Sequence, residues 1–328
     1  MQLEYTLIND LKETIDKYDT VGLESRNFSY LANWIYYVSK ELSYFPSVDE
    51  KYVDRLAIDK TKLTIFGVMI DDLADNYKIR NRELLENAVK IPWNGNKRYS
   101  NKYLEVIREI WLDIINSVER YPRYEDFQEI FFFDLDQFMD STKYAFLINT
   151  VGLENTMELG IYGHHNMMSL LFFDMDFMCS PGFNKNDFGK LRPVFYLVQD
   201  INHVGNILST FKREIDELDF SSPIISMGLI DGIITKEDVI KHPKTCVKNL
   251  EYLIPYFKER AEKNFEKIKD YVKELDFIEL EDFYNRVRQT YDLFLSRTEY
   301  WKINGRSERN INNVSKMKLN NSLRWIRM

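Results

Sequence analysis

The chain has 328 residues, of which 44 are basic and 52 are acidic, and its formal net charge at pH 7 is −8. This length allows one large domain or two ordinary ones and is ample for a sizeable core. The negative balance argues against a general nucleic-acid surface. Cys179 and Cys246 are too few for a disulfide framework and lack metal-ligand spacing, so we expect two reduced thiols.

The sequence contains no obvious targeting or membrane segment. Residues 1–19 are charged throughout, without the apolar stretch of a signal peptide. No run approaches the roughly 18 apolar residues needed to span a bilayer. We therefore expect a cytoplasmic monomer or homodimer, with no nucleic-acid partner and no stable membrane insertion.

Composition and apolar spacing predict an all-α protein. Glycine and proline are scarce, at 12 and 8 residues, and the stretches with a 3.6-residue apolar period are long. In residues 51–70, Leu56, Leu63, Phe66 and Ile70 form one broad stripe, typical of a helix buried on most sides. Taken along the chain, helices are predicted over about 27–44, 51–70, 79–88, 101–118, 124–148, 153–178, 188–215, 246–274 and 278–303.

Breaks between the helices are marked by short segments with proline or glycine. These lie near Pro46, 92–95, Pro122, 180–182 and 221–223. No low-complexity linker or internal repeat divides the chain. We therefore predict one domain over residues 1–328, with about 305–328 as a C-terminal tail or lid.

An acidic cluster, Asp71-Asp72-Leu73-Ala74-Asp75, follows the apolar helix directly. Asp71 and Asp75 share one helix face, and Asp72 lies about a third of a turn away. Carboxylates on adjacent turns repel each other unless a cation lies between them, and Mg²⁺ is commonly bound by one or two carboxylates plus phosphate oxygens. A solvated acidic helix end is the alternative, because a chain with 52 acids contains about one such match by chance.

A second polar stripe begins 135 positions after the start of the acidic cluster. Asn206, Thr210 and Glu214 are spaced four apart, so an amide oxygen, a hydroxyl and a carboxylate follow one helix face and suit a hard cation. A competing register that starts at Asn202 contains no carboxylate and would bind a cation poorly. Arg213, beside the terminal acid, could reach a phosphate. An ordinary polar helix face is the other interpretation.

Together the two clusters resemble the metal motifs of class I terpene synthases of the microbial type. Residues 71–75 (DDLAD) look like the aspartate-rich motif of that family. Residues 206–214 (NILSTFKRE) are similar to its second metal motif, Asn-Asp-x-x-Ser/Thr-x-x-x-Glu, with Ile207 in place of the usual Asp. The order of the two motifs, their separation and the length of the helical chain also agree with microbial members of that family. The resemblance therefore covers most of the chain.

This resemblance implies a helical bundle around a central apolar cavity, and an enzyme that ionises a prenyl diphosphate with the help of three Mg²⁺ ions, or of Mn²⁺. In the implied site, Asp71 and Asp75 bind metal, Asn206, Thr210 and Glu214 hold another ion, and Arg213 contacts the diphosphate. Residues 301–307 (WKINGRS) are similar to a family segment whose arginine also contacts diphosphate, which corresponds to Arg306 here. Ser307 replaces the usual tyrosine, and Arg324 and a plain surface arginine stay open as alternatives.

One departure from the family concerns residues 158–165. Many microbial members carry a diphosphate-sensing arginine in this region, and none is present in this chain. His164 or His165 could replace it if protonated, although core or surface histidines are commoner.

The implied chemistry generates an allylic carbocation, which an aromatic cavity would shield from water. Aromatic residues make up 15% of the chain, and Phe66, Tyr162, Phe172 and Trp301 are candidate wall residues. The leading hypothesis is a terpene cyclase that releases diphosphate and a hydrocarbon or alcohol, with a linear or pre-cyclised substrate of fifteen or twenty carbons. A prenyltransferase, whose second motif would normally be aspartate-rich, and a non-catalytic helical protein are the alternatives.

Overall fold

The computed structural model describes residues 2–22, 28–95, 97–273, 275 and 280–296, and these residues form helices and turns with no β-strand among them. The helices are α1 Gln2–Asp19, α2 Phe28–Glu41, α3 Glu50–Asp75, α4 Arg82–Ala88, α5 Lys102–Val118, α6 Tyr124–Val151, α7 Thr156–Tyr162, α8 Ser169–Met178, α9 Phe188–Asp216, α10 Pro223–Ile230, α11 Lys236–Lys241, α12 Pro243–Leu250, α13 Ile254–Lys273 and α14 Leu280–Leu295. Short 3₁₀ helices cover Ile91–Trp93, Gly163–Met167, Lys185–Asp187 and Glu251–Leu253. The prediction of an all-α protein is confirmed for this part of the chain.

The long helices α3, α6 and α9 form the centre of the bundle. On one side α3 packs against α2, α5 and α6, and on the other α9 packs against α8, α13 and α14. Their facing apolar side chains join one continuous core cluster. Within the described ranges, none of the helices is long and apolar enough to cross a membrane.

The acidic cluster lies at the C-terminal end of α3. The helix begins at a capping residue, Asp49, whose carboxylate accepts a hydrogen bond from the Lys51 backbone at 3.2 Å. Its last turn contains three aspartates and no basic side chain. Carboxylates at a C-terminus face the negative end of the helix dipole, so this end of α3 needs positive charge from elsewhere.

Arg80, in the turn after α3, supplies part of that charge. Its guanidinium donates to the carbonyl oxygens of Ala74 at 3.0 Å and Asp75 at 2.5 Å. It also donates to the carbonyl oxygen of Leu218, just past α9, at 3.2 Å, and to that of Asn149 in α6 at 3.3 Å. One side chain therefore ties together the C-terminal ends of the three central helices.

The predicted helix over 153–178 is wrong in one respect, because the structure divides it. After α7, a 3₁₀ helix covers Gly163–Met167, and Met168 then adopts a left-handed backbone with φ 52° before α8 begins. Gly163 ends α7, but residues other than glycine rarely take the conformation of Met168, so the sequence does not mark the second part of the break. The predicted helix over 246–274 is likewise divided, into α12 and α13.

A close approach of α14 to α9 occurs at Gly205. A Cβ atom at that position would lie 2.9 Å from Cβ, Cγ and Cδ2 of Phe294. We expect Gly205→Ala to lower the free energy of unfolding, because overpacking costs about 1–3 kcal/mol and exceeds the gain of about 1 kcal/mol in helix propensity. Denaturant titration measures the change.

The matched control is Gly160→Ala in α7. A Cβ there would meet no atom within 4 Å, so the same substitution should raise the free energy of unfolding by up to about 1 kcal/mol. Equal changes in the two variants would contradict the close approach at Gly205.

Candidate functional site

Both polar clusters of the sequence line one cavity of about 200 Å³. From α3 the lining residues are Thr64, Gly67, Val68, Asp71 and Asp75, and from α9 they are Asn202, His203, Asn206, Ile207, Thr210, Arg213 and Glu214. On each helix these positions recur at three- and four-residue intervals, so a single face of each is turned to the cavity. The structure thus brings together two groups of side chains that are far apart in sequence.

On α9, the predicted chelate forms a continuous polar face. The hydroxyl of Thr210 lies 2.7 Å from the backbone oxygen of Asn206 and also hydrogen-bonds the Glu214 carboxylate. Burial raises the pKa of Glu214 to about 7, although the nearby charge of Arg213 acts in the opposite direction. The fold therefore holds an acid that is costly to ionise in the absence of additional positive charge.

Arg213 is the one lysine or arginine among the described residues that line the cavity. Its guanidinium forms an ion pair with Glu217, one turn further along α9, and lies 3.8 Å from the Glu214 carboxylate. The side chain is largely buried, so Glu217 fixes its direction. This arrangement places a guanidinium beside the chelate face, where it can contact an anion.

The three aspartates at the end of α3 have different surroundings. Asp71 is partly exposed and Asp75 is 7% exposed, and both line the cavity, in agreement with their i, i+4 spacing. Asp72 is fully buried. The two cavity aspartates are thus the members of the cluster available to a bound ion.

The donor set fits a hard cation. The predicted ligands that line the cavity are three carboxylates, one hydroxyl and one amide, and a fourth carboxylate, Asp219, lines it as well. Oxygen donors of this kind suit Mg²⁺ or Mn²⁺. Across the described ranges, no three His, Cys, Asp or Glu side chains form a metal-binding group by themselves. An ion here would accordingly need oxygen atoms from outside the carboxylates of either helix, as a phosphate-bearing ligand would supply.

The remaining wall of the cavity is largely apolar. Of the predicted wall residues, Phe172 lines the cavity. Phe66 instead lies behind the wall, fully buried, with its ring 5.1 Å from that of Trp111. Tyr162 likewise forms an outer layer, its ring 5.0 Å from that of Tyr144, which does line the cavity.

Three aromatic wall residues were not predicted from the sequence. Trp34 of α2 and Phe294 of α14 line the cavity, with ring centroids 4.8 Å apart, and Tyr144 of α6 joins them. Each belongs to an ordinary amphipathic pattern, so only the packing of the helices distinguishes it from a core residue.

A buried ion pair lies behind Phe172. The Lys60 ammonium is 2.6 Å from the Asp176 carboxylate, donates to the Ser43 carbonyl oxygen at 2.7 Å, and is 5.4 Å from the centre of the Phe172 ring. Both charged side chains are fully buried. Burial raises the pKa of Asp176 to about 6 and lowers the pKa of Lys60, so pairing offsets only part of the desolvation cost.

The two histidines considered as substitutes for the missing arginine do not provide a cation. Burial lowers the pKa of His164, and burial together with the neighbouring His164 and Arg192 lowers that of His165 to about 4. Both rings are therefore neutral at neutral pH.

Comparison with protein-family models gives no match, and no curated protein is significantly similar to the chain. The remaining site predictions, Trp301 and Arg306 with its alternative Arg324, lie outside the described residues. Function is consequently inferred from the cavity itself and from the side chains that converge on it.

Proposed function

We propose that the protein is a class I terpene synthase, an enzyme that ionises a prenyl diphosphate and cyclises the resulting carbocation. The observation that carries this proposal is the meeting of the α3 aspartates and the α9 chelate face on one cavity whose other walls are largely apolar. A ligand with an anionic head and a hydrocarbon tail matches both parts of that cavity.

The polar end of the cavity would hold the diphosphate. Asp71 and Asp75 on one side, and Asn206, Thr210 and Glu214 on the other, would bind Mg²⁺. Bound Mg²⁺ supplies charge neutralisation that makes diphosphate a better leaving group. Arg213, held by Glu217, would contact a diphosphate oxygen directly.

The apolar end would hold the hydrocarbon. Trp34, Tyr144, Phe172 and Phe294 present aromatic groups to the cavity. An aromatic face stabilises a nearby cation by about 0.5–2 kcal/mol, and an apolar wall keeps water away from it. These residues would let the prenyl carbocation rearrange before it loses a proton or reacts with water.

Incubation of the purified chain with Mg²⁺ and geranyl, farnesyl, geranylgeranyl or copalyl diphosphate tests the proposal. We expect Mg²⁺-dependent release of diphosphate together with a cyclic hydrocarbon or alcohol. Formation of a longer prenyl diphosphate in the presence of isopentenyl diphosphate would instead indicate a prenyltransferase. No turnover, and no rise in melting temperature with Mg²⁺ and pyrophosphate, would indicate a non-catalytic protein.

A further inference from the structure

The polar face of α9 continues one turn beyond the predicted chelate. Asn202 lies four residues before Asn206, lines the same cavity and is 8% exposed. Nothing in the proposed metal and diphosphate site uses this residue. It lies about two turns further from Glu214 than Thr210 does along α9, and its amide contacts Ser169, which belongs to the same helix, α8, as the wall residue Phe172.

The side-chain amide of Asn202 is held by a hydrogen bond from its nitrogen, while its oxygen makes none to any described residue. Its Nδ2 donates to the Ser169 hydroxyl, at the start of α8, at 3.1 Å. Its Oδ1 is buried and has no hydrogen-bond partner within the part of the chain that the structure describes. A buried amide oxygen of this kind is normally satisfied by an ordered water or a ligand, so an acceptor remains available.

The hydroxyl groups around the cavity differ in whether they already have a hydrogen-bond partner within the protein. Thr64 and Thr290 donate to the backbone oxygens of Lys60 and Arg286, each at 3.0 Å. Ser39, in contrast, is buried, and within the described ranges its hydroxyl has no partner. Within the described part of the chain, Asn202 and Ser39 therefore leave buried oxygen atoms without partners on residues that line the cavity, and a buried water molecule is retained by polar groups of this kind.

We propose that Asn202 Oδ1 accepts a hydrogen bond from a water molecule and that this water ends the reaction by attacking the final carbocation, so that the product is a terpene alcohol. This inference rests on the proposed function. A lone pair of the water oxygen forms the new C–O bond, and one proton of the resulting oxonium passes to the neutral imidazole of His203, which also lines the cavity. The step needs no redox partner.

The role assigned to His203 agrees with its surroundings. Its ring is almost fully buried, and burial lowers its pKa to about 3. The imidazole is neutral before the reaction, and an oxonium ion is acidic enough to protonate it.

The test is product analysis in ¹⁸O-labelled water, using the full chain, Mg²⁺ and a prenyl diphosphate that it converts. We expect a cyclic alcohol carrying ¹⁸O as a main product. Asn202→Leu, which keeps the branching of the side chain at Cγ and removes the acceptor, should reduce the ratio of alcohol to hydrocarbon at least tenfold while total diphosphate release changes only a few-fold.

Two further variants separate this role from general disturbance of the cavity. Ser169→Ala leaves Asn202 in place but frees its amide to rotate, and should reduce the alcohol fraction to an intermediate value. Thr290→Val is the matched control, because its hydroxyl is already satisfied by Arg286, and should leave the ratio unchanged. Ser169→Ala also keeps the test decisive if Asn202→Leu fails to fold.

The outcomes distinguish the two proposals. No diphosphate release from any substrate overturns the proposed function and, with it, this role for Asn202. Diphosphate release that yields only hydrocarbon, or an alcohol fraction that is the same in wild type, Asn202→Leu and Ser169→Ala, overturns the water site while the enzyme assignment stands.

Discussion

Glu214→Gln is expected to lower Mg²⁺-dependent diphosphate release by on the order of 10²–10³-fold, the usual effect of removing one preorganised electrostatic group. Glutamine keeps the shape of the side chain and can still accept the hydrogen bond from Thr210, but it is a far poorer metal ligand. Burial already raises the pKa of Glu214 to about 7, so the fold does not gain from its charge. The melting temperature at pH 8 should therefore be unchanged or higher in the variant.

Asp71→Asn removes a carboxylate from the opposite side of the cavity and should lower turnover by a similar factor. The matched control is Glu259→Gln on α13, an exposed glutamate paired with Lys263, which should leave turnover unchanged. Diphosphate release at the wild-type rate in both Glu214→Gln and Asp71→Asn would show that the converging carboxylates do not act on the substrate. A large fall in melting temperature would instead indicate that Glu214 is structural.

Lys60→Met is expected to lower the free energy of unfolding by about 3–5 kcal/mol, because it leaves the Asp176 carboxylate buried without its partner. Replacement of both charges, in Lys60→Met with Asp176→Leu, should recover most of that loss, since pairs of this kind are often replaceable by apolar residues. Denaturant titration of the two variants and the wild type measures the difference.

Lys263→Met is the control, because it removes the positive charge of an exposed ion pair instead of a buried one. Its partner is Glu259, and both side chains are about two-thirds exposed, so water screens the pair and the expected loss of unfolding free energy is much smaller than for Lys60→Met. If Lys60→Met costs no more than Lys263→Met, the ion pair behind Phe172 contributes nothing to the fold. A double variant that is as unstable as Lys60→Met would show that the charges cannot be exchanged for apolar groups.

The polar half of the site was predictable because it follows helical periodicity. The repeats that contain Asp71 and Asp75, and Asn206, Thr210 and Glu214, predict one face on each helix, and α9 spans Phe188–Asp216 against a predicted 188–215. What periodicity cannot predict is that the two faces share a cavity, since that depends on packing between distant segments.

The apolar half was much less predictable. Phe66 and Trp34 both follow apolar stripes, yet Phe66 is fully buried against Trp111 while Trp34 lines the cavity. The pairing of Lys60 with Asp176 could not be predicted either, because the two charges come from helices that are distant in sequence. The left-handed Met168 is set by tertiary packing, without the glycine or proline that normally marks a break.

The contacts of Arg80 hold the C-terminal ends of α3, α6 and α9 together through hydrogen bonds within the protein. The spacing between the α3 and α9 faces of the cavity is therefore set by the protein's own guanidinium. Binding then has to order side chains and not helices, which reduces its entropic cost. In the proposed enzyme, metal ions would leave and return in each catalytic cycle without any change in the backbone that carries their ligands.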